Sequence, residues 1–203
     1  MTRKRKKTLD RLARMATEAL AREDWNGAER ALTGLLDVTP DAPALVYNLA
    51  LVEKRRGKME AAERRLSGLL KSAPDHHNAR FEYASALMDR GAEREALDQF
   101  LIHLENRPDD ADAAVNAGRL HLRAGNPAAA LGLFDSALSL RPRDPACRMA
   151  RSEALRDLGK TAEAFGDFAD LFAAYPDLRP ALVKLMSQGA AGRIRLNLTI
   201  SPT

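Results

Sequence analysis

Proline recurs along this chain at a fixed interval of 34 residues. The five members of the series are Pro40, Pro74, Pro108, Pro142 and Pro176. An alanine lies twelve residues before each of them, at Ala28, Ala62, Ala96, Ala130 and Ala164. Two columns in register over five periods indicate a repeated structural unit. Because one such unit cannot bury its own apolar face, the fold must be built by stacking neighbours.

Further columns show what each unit contains. Large apolar residues lie eight residues before the prolines, at Leu32, Leu66, Phe100, Phe134 and Phe168. A turn column lies seventeen residues before them, at Glu23, Gly57, Gly91, Gly125 and Gly159. Glycine in the middle and proline at the end divide each unit into two short helices. The segments that start at these prolines, PDAP, PDHH, PDDA, PRDP and PDLR, supply aspartate as the expected N-cap of the next helix.

Composition agrees with a helical chain. The 203 residues include 37 alanines but only 3 isoleucines and 5 valines, so good helix formers dominate and β-branched residues are scarce. We therefore expect an all-α fold without a large sheet. The single cysteine, Cys147, excludes an internal disulfide framework and a thiolate metal cluster.

The period and its small, large and proline columns resemble the tetratricopeptide repeat family. The segments YNLA at 47–50 and AGNPAAALGLFDSALSLRP at 124–142 are similar to the family consensus. The resemblance implies a right-handed α-solenoid of five helix-turn-helix repeats, with a capping helix over 179–189. The repeats would cover 9–42, 43–76, 77–110, 111–144 and 145–178, preceded by a basic arm at 1–8 and followed by a strand-like tail at 190–203.

The resemblance also implies where a partner would bind, because the first helix of each repeat lines the concave face of such a solenoid. The fifth residue of each unit would face the concavity, and all six residues in this column are apolar: Ala13, Tyr47, Phe81, Val115, Met149 and Val183. They form either an apolar strip that receives a peptide or a column buried between adjacent helices. Polar flanks lie beside them. The candidate partner-binding residues are Tyr47, Asn48, Phe81, Glu82, Val115, Asn116, Arg119, Met149 and Val183.

Two classes of site are not expected. Chaperone adaptors of this family hold a C-terminal carboxylate with lysine at the fifth position, and no fifth position here is lysine. Catalytic motifs and helical histidine pairs at metal-ligand spacing are also missing from the sequence. His103 and His121 occupy helical columns, where they could meet inside the stack. We expect Cys147 to be a small buried residue, and we expect no enzyme activity, metal or cofactor.

Charge is concentrated at the beginning of the chain. The net charge is +4, but Arg3, Lys4, Arg5, Lys6 and Lys7 alone contribute +5. The arm is interpreted as a solvated, disordered tail or as a weak contact to nucleic acid or an anionic membrane. Frequent charges after residue 8 favour neither a signal peptide nor a membrane span, and we expect a cytoplasmic protein.

The last residues break the helical pattern. Over 193–200, apolar and polar residues alternate with the period of a β-strand. The segment is a flexible tail, a strand that pairs with another chain in self-association, or the first strand of a further domain.

The primary functional hypothesis is a non-catalytic scaffold or adaptor that binds a protein or extended peptide along its concave face. The alternative is the N-terminal regulatory or targeting region of a larger enzyme, such as a transferase, with a catalytic domain after residue 203.

Overall fold

Antiparallel helical hairpins make up the part of the chain that the computed structural model describes, residues 3–187. The helices are α1 (Arg3–Ala21), α2 (Trp25–Val38), α3 (Pro43–Arg55), α4 (Met59–Ser72), α5 (His77–Asp89), α6 (Glu93–Asn106), α7 (Ala111–Arg123), α8 (Pro127–Leu140), α9 (Pro145–Asp157), α10 (Thr161–Ala174) and α11 (Arg179–Ser187). From α4 to α10 each helix begins 34 residues after its equivalent in the preceding hairpin. The prediction of an all-α chain of repeated hairpins is confirmed.

The chain divides into two compact units between Gln99 and Phe100. In the first unit, α1 packs on α2, α3 on α4, and each hairpin on the next. In the second unit, the pairs are α7 with α8 and α9 with α10, and α11 packs on α9 and α10. The core clusters around Leu32, Leu66, Phe134 and Phe168 each use three successive helices, because the first helix of the next hairpin, or α11 at the end, covers the hairpin before it.

The alanine column is buried on the second helix of every hairpin. All five residues of this column are 1% exposed or less. The large residues one turn later are equally buried, with Phe100 and Phe134 completely inaccessible. Small side chains let the helix backbones approach, and the rings fill the space that remains.

The turn column adopts left-handed backbone. Gly57, Gly91, Gly125 and Gly159 have φ of 75°, 83°, 75° and 75°. Glu23 takes the same conformation at φ 56°, without glycine's freedom from steric clash at Cβ. The first hairpin therefore has a more strained turn than the later ones.

The N-caps differ from the expectation at two positions. The capping residue is the second one after each proline, because the helix begins at the third. Asp110 and Asp144 cap α7 and α9 by accepting hydrogen bonds from Ala113 N and from Ala146 N and Cys147 N. The corresponding positions before α3 and α5 are Ala42, which offers no side-chain cap, and His76, whose Nδ1 accepts from Ala79 N.

The basic arm also differs from the expectation of a disordered tail. Residues 3–8 form the first turns of α1, and the Arg5 guanidinium donates a hydrogen bond to the carbonyl of Val38 at the C-terminus of α2. A cation at this end of a helix is stabilised by the helix dipole. The strand-like segment 193–200 lies outside the described residues. No helix within 3–187 is both long and apolar enough to cross a membrane.

Candidate functional site

The predicted residues of the first unit lie on α3 and α5. Tyr47, Asn48, Phe81 and Glu82 are all half-buried. Tyr47 packs beside the core cluster that contains Ala50 and Leu66, and its ring centroid lies 5.1 Å from that of His76. Tyr47 therefore packs against the core and stays partly accessible, and its role in partner binding remains a prediction.

Charge links the two helices at this surface. Lys54 Nζ on α3 donates to Glu82 Oε2 on α5 at 2.9 Å, and both side chains are partly exposed. Burial, and then the nearby Glu82 carboxylate, raise the pKa of the Tyr47 phenol. The phenol stays protonated at neutral pH and can act as a hydrogen-bond donor to a ligand.

A cavity of about 310 Å³ opens in the second unit between α7, α9 and α11. Two of the predicted residues, Arg119 and Met149, line it. Charged walls are formed by Arg119 and Arg123 on α7 and by Glu153 and Asp157 on α9. The remaining lining residues are small or apolar: Leu122, Ala146, Ala150 and Leu185.

Arg156 holds the acidic wall in place. Its side chain is 5% exposed, and its guanidinium lies 2.7 Å from Asp157 and 3.6 Å from Glu153. It also donates to the backbone carbonyl of Leu185, so it joins α9 to α11. A buried arginine with several acceptors fixes the side chains that it binds, which gives the cavity a defined shape before any ligand arrives.

Three predicted residues of the second unit do not line this cavity. Val115 packs against the core cluster of α7, α8 and α9, while Asn116 lies half-buried on α7. Val183 is 38% exposed on α11. In contrast, Leu185 and Glu153 line the cavity although the sequence analysis does not single them out. The i, i+4 spacing of Arg119 with Arg123 and of Glu153 with Asp157 is the signal in the sequence that identifies the two charged walls.

His103 and Cys147 both serve the fold. His103 is 2% exposed, and its Nε2 lies 2.9 Å from Asp110 Oδ2, on the same carboxylate that caps α7. Cys147 is 1% exposed, which confirms the prediction of a buried residue. Burial raises the pKa of the Cys147 thiol to about 11. Such a thiol is a poor nucleophile at neutral pH. No group of three metal-ligating side chains occurs within residues 3–187.

Relatives of known sequence and structure agree on one fold. A curated protein of Arabidopsis thaliana, the TPR repeat-containing thioredoxin TTL4, is 36% identical over 89 residues. The match covers 42% of this chain but only 13% of the relative's length.

Three solved structures resemble the chain over most of its length. The MamA protein aligns with a TM-score of 0.75 at 17% identity and covers 85% of this chain and 94% of its own. A tetratricopeptide repeat protein from Parabacteroides merdae aligns at 0.79 and 20% identity, over 89% and 74%. PilF of Pseudomonas aeruginosa aligns at 0.73 and 20% identity, over 91% and 83%. At these identities the likeness shows the fold alone.

The sequence model of the tetratricopeptide repeat family matches residues 14–63, 47–111 and 115–179. These segments contain the alanine column, the large apolar column and the glycine turns, together with all residues of the two candidate surfaces except those on α11, Val183 and Leu185. The chain therefore belongs to the tetratricopeptide repeat family.

Proposed function

We propose that this chain is a non-catalytic interaction module that binds an extended segment of a partner protein through the first helices of its hairpins. Proteins of the tetratricopeptide repeat family generally mediate interactions between proteins. The cavity of the second unit supports the more specific proposal that particular side chains hold a peptide segment.

That cavity has the size and lining of a subsite for one or two side chains. Its volume of about 310 Å³ is at the small end of ligand pockets, too small for a folded domain. Met149 and Leu185 offer an apolar contact, while Arg119 and the Glu153 carboxylate supply opposite charges on different helices. A partner segment with an apolar residue between an acidic and a basic residue would complement all three features.

The surface of the first unit supports the same function. Tyr47 and Phe81 are aromatic and half-buried, so each can contribute contact area at little cost in conformational entropy. The Asn48 amide can donate to and accept from the backbone of an extended peptide. None of the fifth-position residues is lysine, and we expect no binding of chaperone tails through their terminal carboxylate.

A displayed library of random peptides tests the proposal. Peptides that the wild-type chain selects are measured by fluorescence anisotropy against Arg119→Ala/Met149→Ala, and we expect a loss of affinity of about tenfold or more. The matched control is Arg94→Ala/Met59→Ala, which changes the same residue types on second helices, where both side chains are exposed. Circular dichroism verifies that both variants stay folded. Equal affinities for wild type and the cavity variant would refute the cavity assignment.

A second experiment addresses the first unit separately. Tyr47→Phe/Phe81→Leu keeps most of the buried apolar area but removes the hydroxyl group of Tyr47 and the aromatic ring of Phe81. We expect weaker binding of the selected peptides with an unchanged melting temperature. If the melting temperature falls and the affinity does not, the column serves only to pack the helices.

The curated relative supports a second candidate. Its name combines the repeat with a thioredoxin, and this chain spans 13% of its length. The second candidate is therefore that this chain is the regulatory or targeting region of a larger enzyme. The test is to sequence the transcript beyond the codon for Thr203: an open frame that encodes a catalytic domain supports this alternative, and a stop codon refutes it.

A further inference from the structure

Helix α1 carries a line of cations on the side that faces away from the hairpin core. Lys4, Lys7, Arg11 and Arg14 follow one another at intervals of three and four residues, which places them on one helix face. All four are exposed, and within the described residues none of them forms an ion pair. At a rise of about 1.5 Å per residue the line is about 15 Å long. We call this set of four residues the cationic line.

The opposite face of α1 is packed against the core, and this packing keeps the cationic line directed away from the hairpin. Leu9, Leu12, Ala16 and Leu20 pack on α2 and α3. Arg5 lies on this inner face, where it donates to the Val38 carbonyl. The five clustered cations of the sequence are therefore divided, because Arg5 anchors the first turns while Lys4 and Lys7 remain available to a partner.

From this geometry we propose that α1 binds the surface of a bilayer that contains anionic phospholipids, with the cationic line lying flat on the headgroups. Residues 3–14 contain seven cations and one anion, Asp10, which gives this segment a net charge of +6. The rest of the chain therefore has a net charge of −2. Each cation near such a surface contributes on the order of 1 kcal/mol. Four cations on a straight, rigid helix can reach a plane at the same time, without the ordering cost that a flexible tail would have.

Two observations favour a bilayer over a nucleic acid duplex. Met15 is 48% exposed on the same face as Arg11, where its apolar tip can enter the interface between headgroups and acyl chains. The second helix of the hairpin adds no positive surface, because α2 contains Arg30 but also Glu29 and Asp37. Binding to a single strand is also not favoured, because α1 contains no aromatic residue on which bases could stack.

Vesicle co-sedimentation of the full chain tests this proposal. The probes are vesicles of phosphatidylcholine alone and of phosphatidylcholine with about 30% phosphatidylglycerol, at low and high salt. We expect binding only to the anionic vesicles, and we expect high salt to weaken it. The variant Lys4→Gln/Lys7→Gln/Arg11→Gln/Arg14→Gln should lose affinity by on the order of 1000-fold.

The control removes the same number of charges elsewhere. Lys71→Gln/Arg94→Gln/Arg143→Gln/Lys184→Gln changes four exposed cations outside α1, and it should keep its affinity within about threefold. If the control variant loses as much affinity as the line variant, net charge alone governs binding and the proposal fails. It also fails if duplex DNA binds more tightly than the anionic vesicles at the same salt concentration.

A third variant separates an ordered helix from a charged tail. Thr8→Pro keeps every cation but interrupts α1 after its first turns, because proline removes a helical hydrogen bond and clashes with the preceding turn. We expect at least about fivefold weaker vesicle binding. Unchanged binding would show that the helix does not present the cations. Selected peptides should bind all of these variants normally, so failure here is distinguishable from failure of the proposed partner site.

Discussion

Gly118 on α7 lies so close to the Phe134 ring on α8 that no side chain fits between them. A Cβ at this position would lie 2.6 Å from Cε1 of Phe134, well inside contact distance. The same column holds alanine or serine in the other hairpins, at Ala16, Ala50, Ala84 and Ser152. The α7 and α8 hairpin therefore depends on a glycine that a helix would not otherwise favour.

Gly118→Ala should destabilise the protein by about 1–3 kcal/mol, because the added methyl group forces the buried Phe134 ring to move. Gly132→Ala is the matched control, since this glycine lies on α8 with open space around it. It should stabilise by about 0.5–1 kcal/mol through helix propensity. Urea unfolding measures both. A stabilising Gly118→Ala would contradict the close approach of the two helices.

Cys147 predicts a specific dependence of stability on pH. Its thiol donates to the Phe134 carbonyl at 3.6 Å, and burial together with Asp144 raises its pKa from 9.0 to about 11. Between these values the unfolded chain loses the thiol proton while the folded chain keeps it. Protonation therefore favours the folded state, and this contribution is lost as the pH rises from about 9 to 11.

Between about pH 9 and 11, the free energy of unfolding of the wild type should fall relative to that of Cys147→Ala. Below about pH 9, the two free energies should change with pH in the same way. Urea titrations of both proteins between about pH 7 and 11 measure the difference. Other groups titrate in this range, but they are common to both proteins and cancel. Parallel profiles up to pH 11 would mean that the thiol ionises normally in the folded state.

At the scale of the element, the helix N-termini are unequal although the repeat is regular. Ala42 and Asp144 each precede a proline that starts a helix, and their backbone angles are similar, with φ, ψ of −80°, 104° and −69°, 109°. Asp144 accepts two backbone hydrogen bonds, whereas Ala42 leaves the equivalent N–H groups of α3 without a side-chain cap.

Ala42→Asp should therefore stabilise the protein by about 0.5–1.5 kcal/mol, and Asp144→Ala should destabilise it by a similar amount. Thermal unfolding of both variants measures the effect. Ala42→Asn is a useful companion, because it offers the same acceptor without the charge. If neither substitution at position 42 raises the melting temperature, the α3 N-terminus does not accept the geometry that Asp144 provides for α9.

At the scale of the whole molecule, four of the hairpins use a following helix to complete their cores. The cluster around Ala28 and Leu32 is finished by Leu49 and Val52 of α3, and the cluster around Phe134 is finished by Cys147 and Ala154 of α9. For the hairpin of α9 and α10 this role falls to α11, where Leu182 and Met186 are both fully buried.

Leu182→Ala should cost about 2–5 kcal/mol, because it opens a cavity against Leu155, Phe168 and Leu171. The neighbouring Val183→Ala, on the exposed side of α11, should change the free energy of unfolding by less than about 0.5 kcal/mol. Urea unfolding distinguishes the two. Equal effects would mean that α11 does not cover the last hairpin.

The repeating pattern of the sequence determines which residues form helices and which columns become buried. Pro40 and its four successors, the alanine column and the glycine turns are local signals, and each has the same meaning in every hairpin because the same backbone geometry surrounds it. That is why the helix hairpins, the buried Phe134 and the buried Cys147 all follow from the sequence.

The features that differ between hairpins were decided by tertiary structure. Arg119 and Met149 line one cavity while Val115 packs into the core, because their surroundings depend on the neighbouring helices and on Arg156, which no repeat column marks. Arg5 orders the beginning of α1 only because the C-terminus of α2 lies within its reach. Period and composition specify the unit, but the side chains that one unit presents to another depend on distances that exist only after the units have packed.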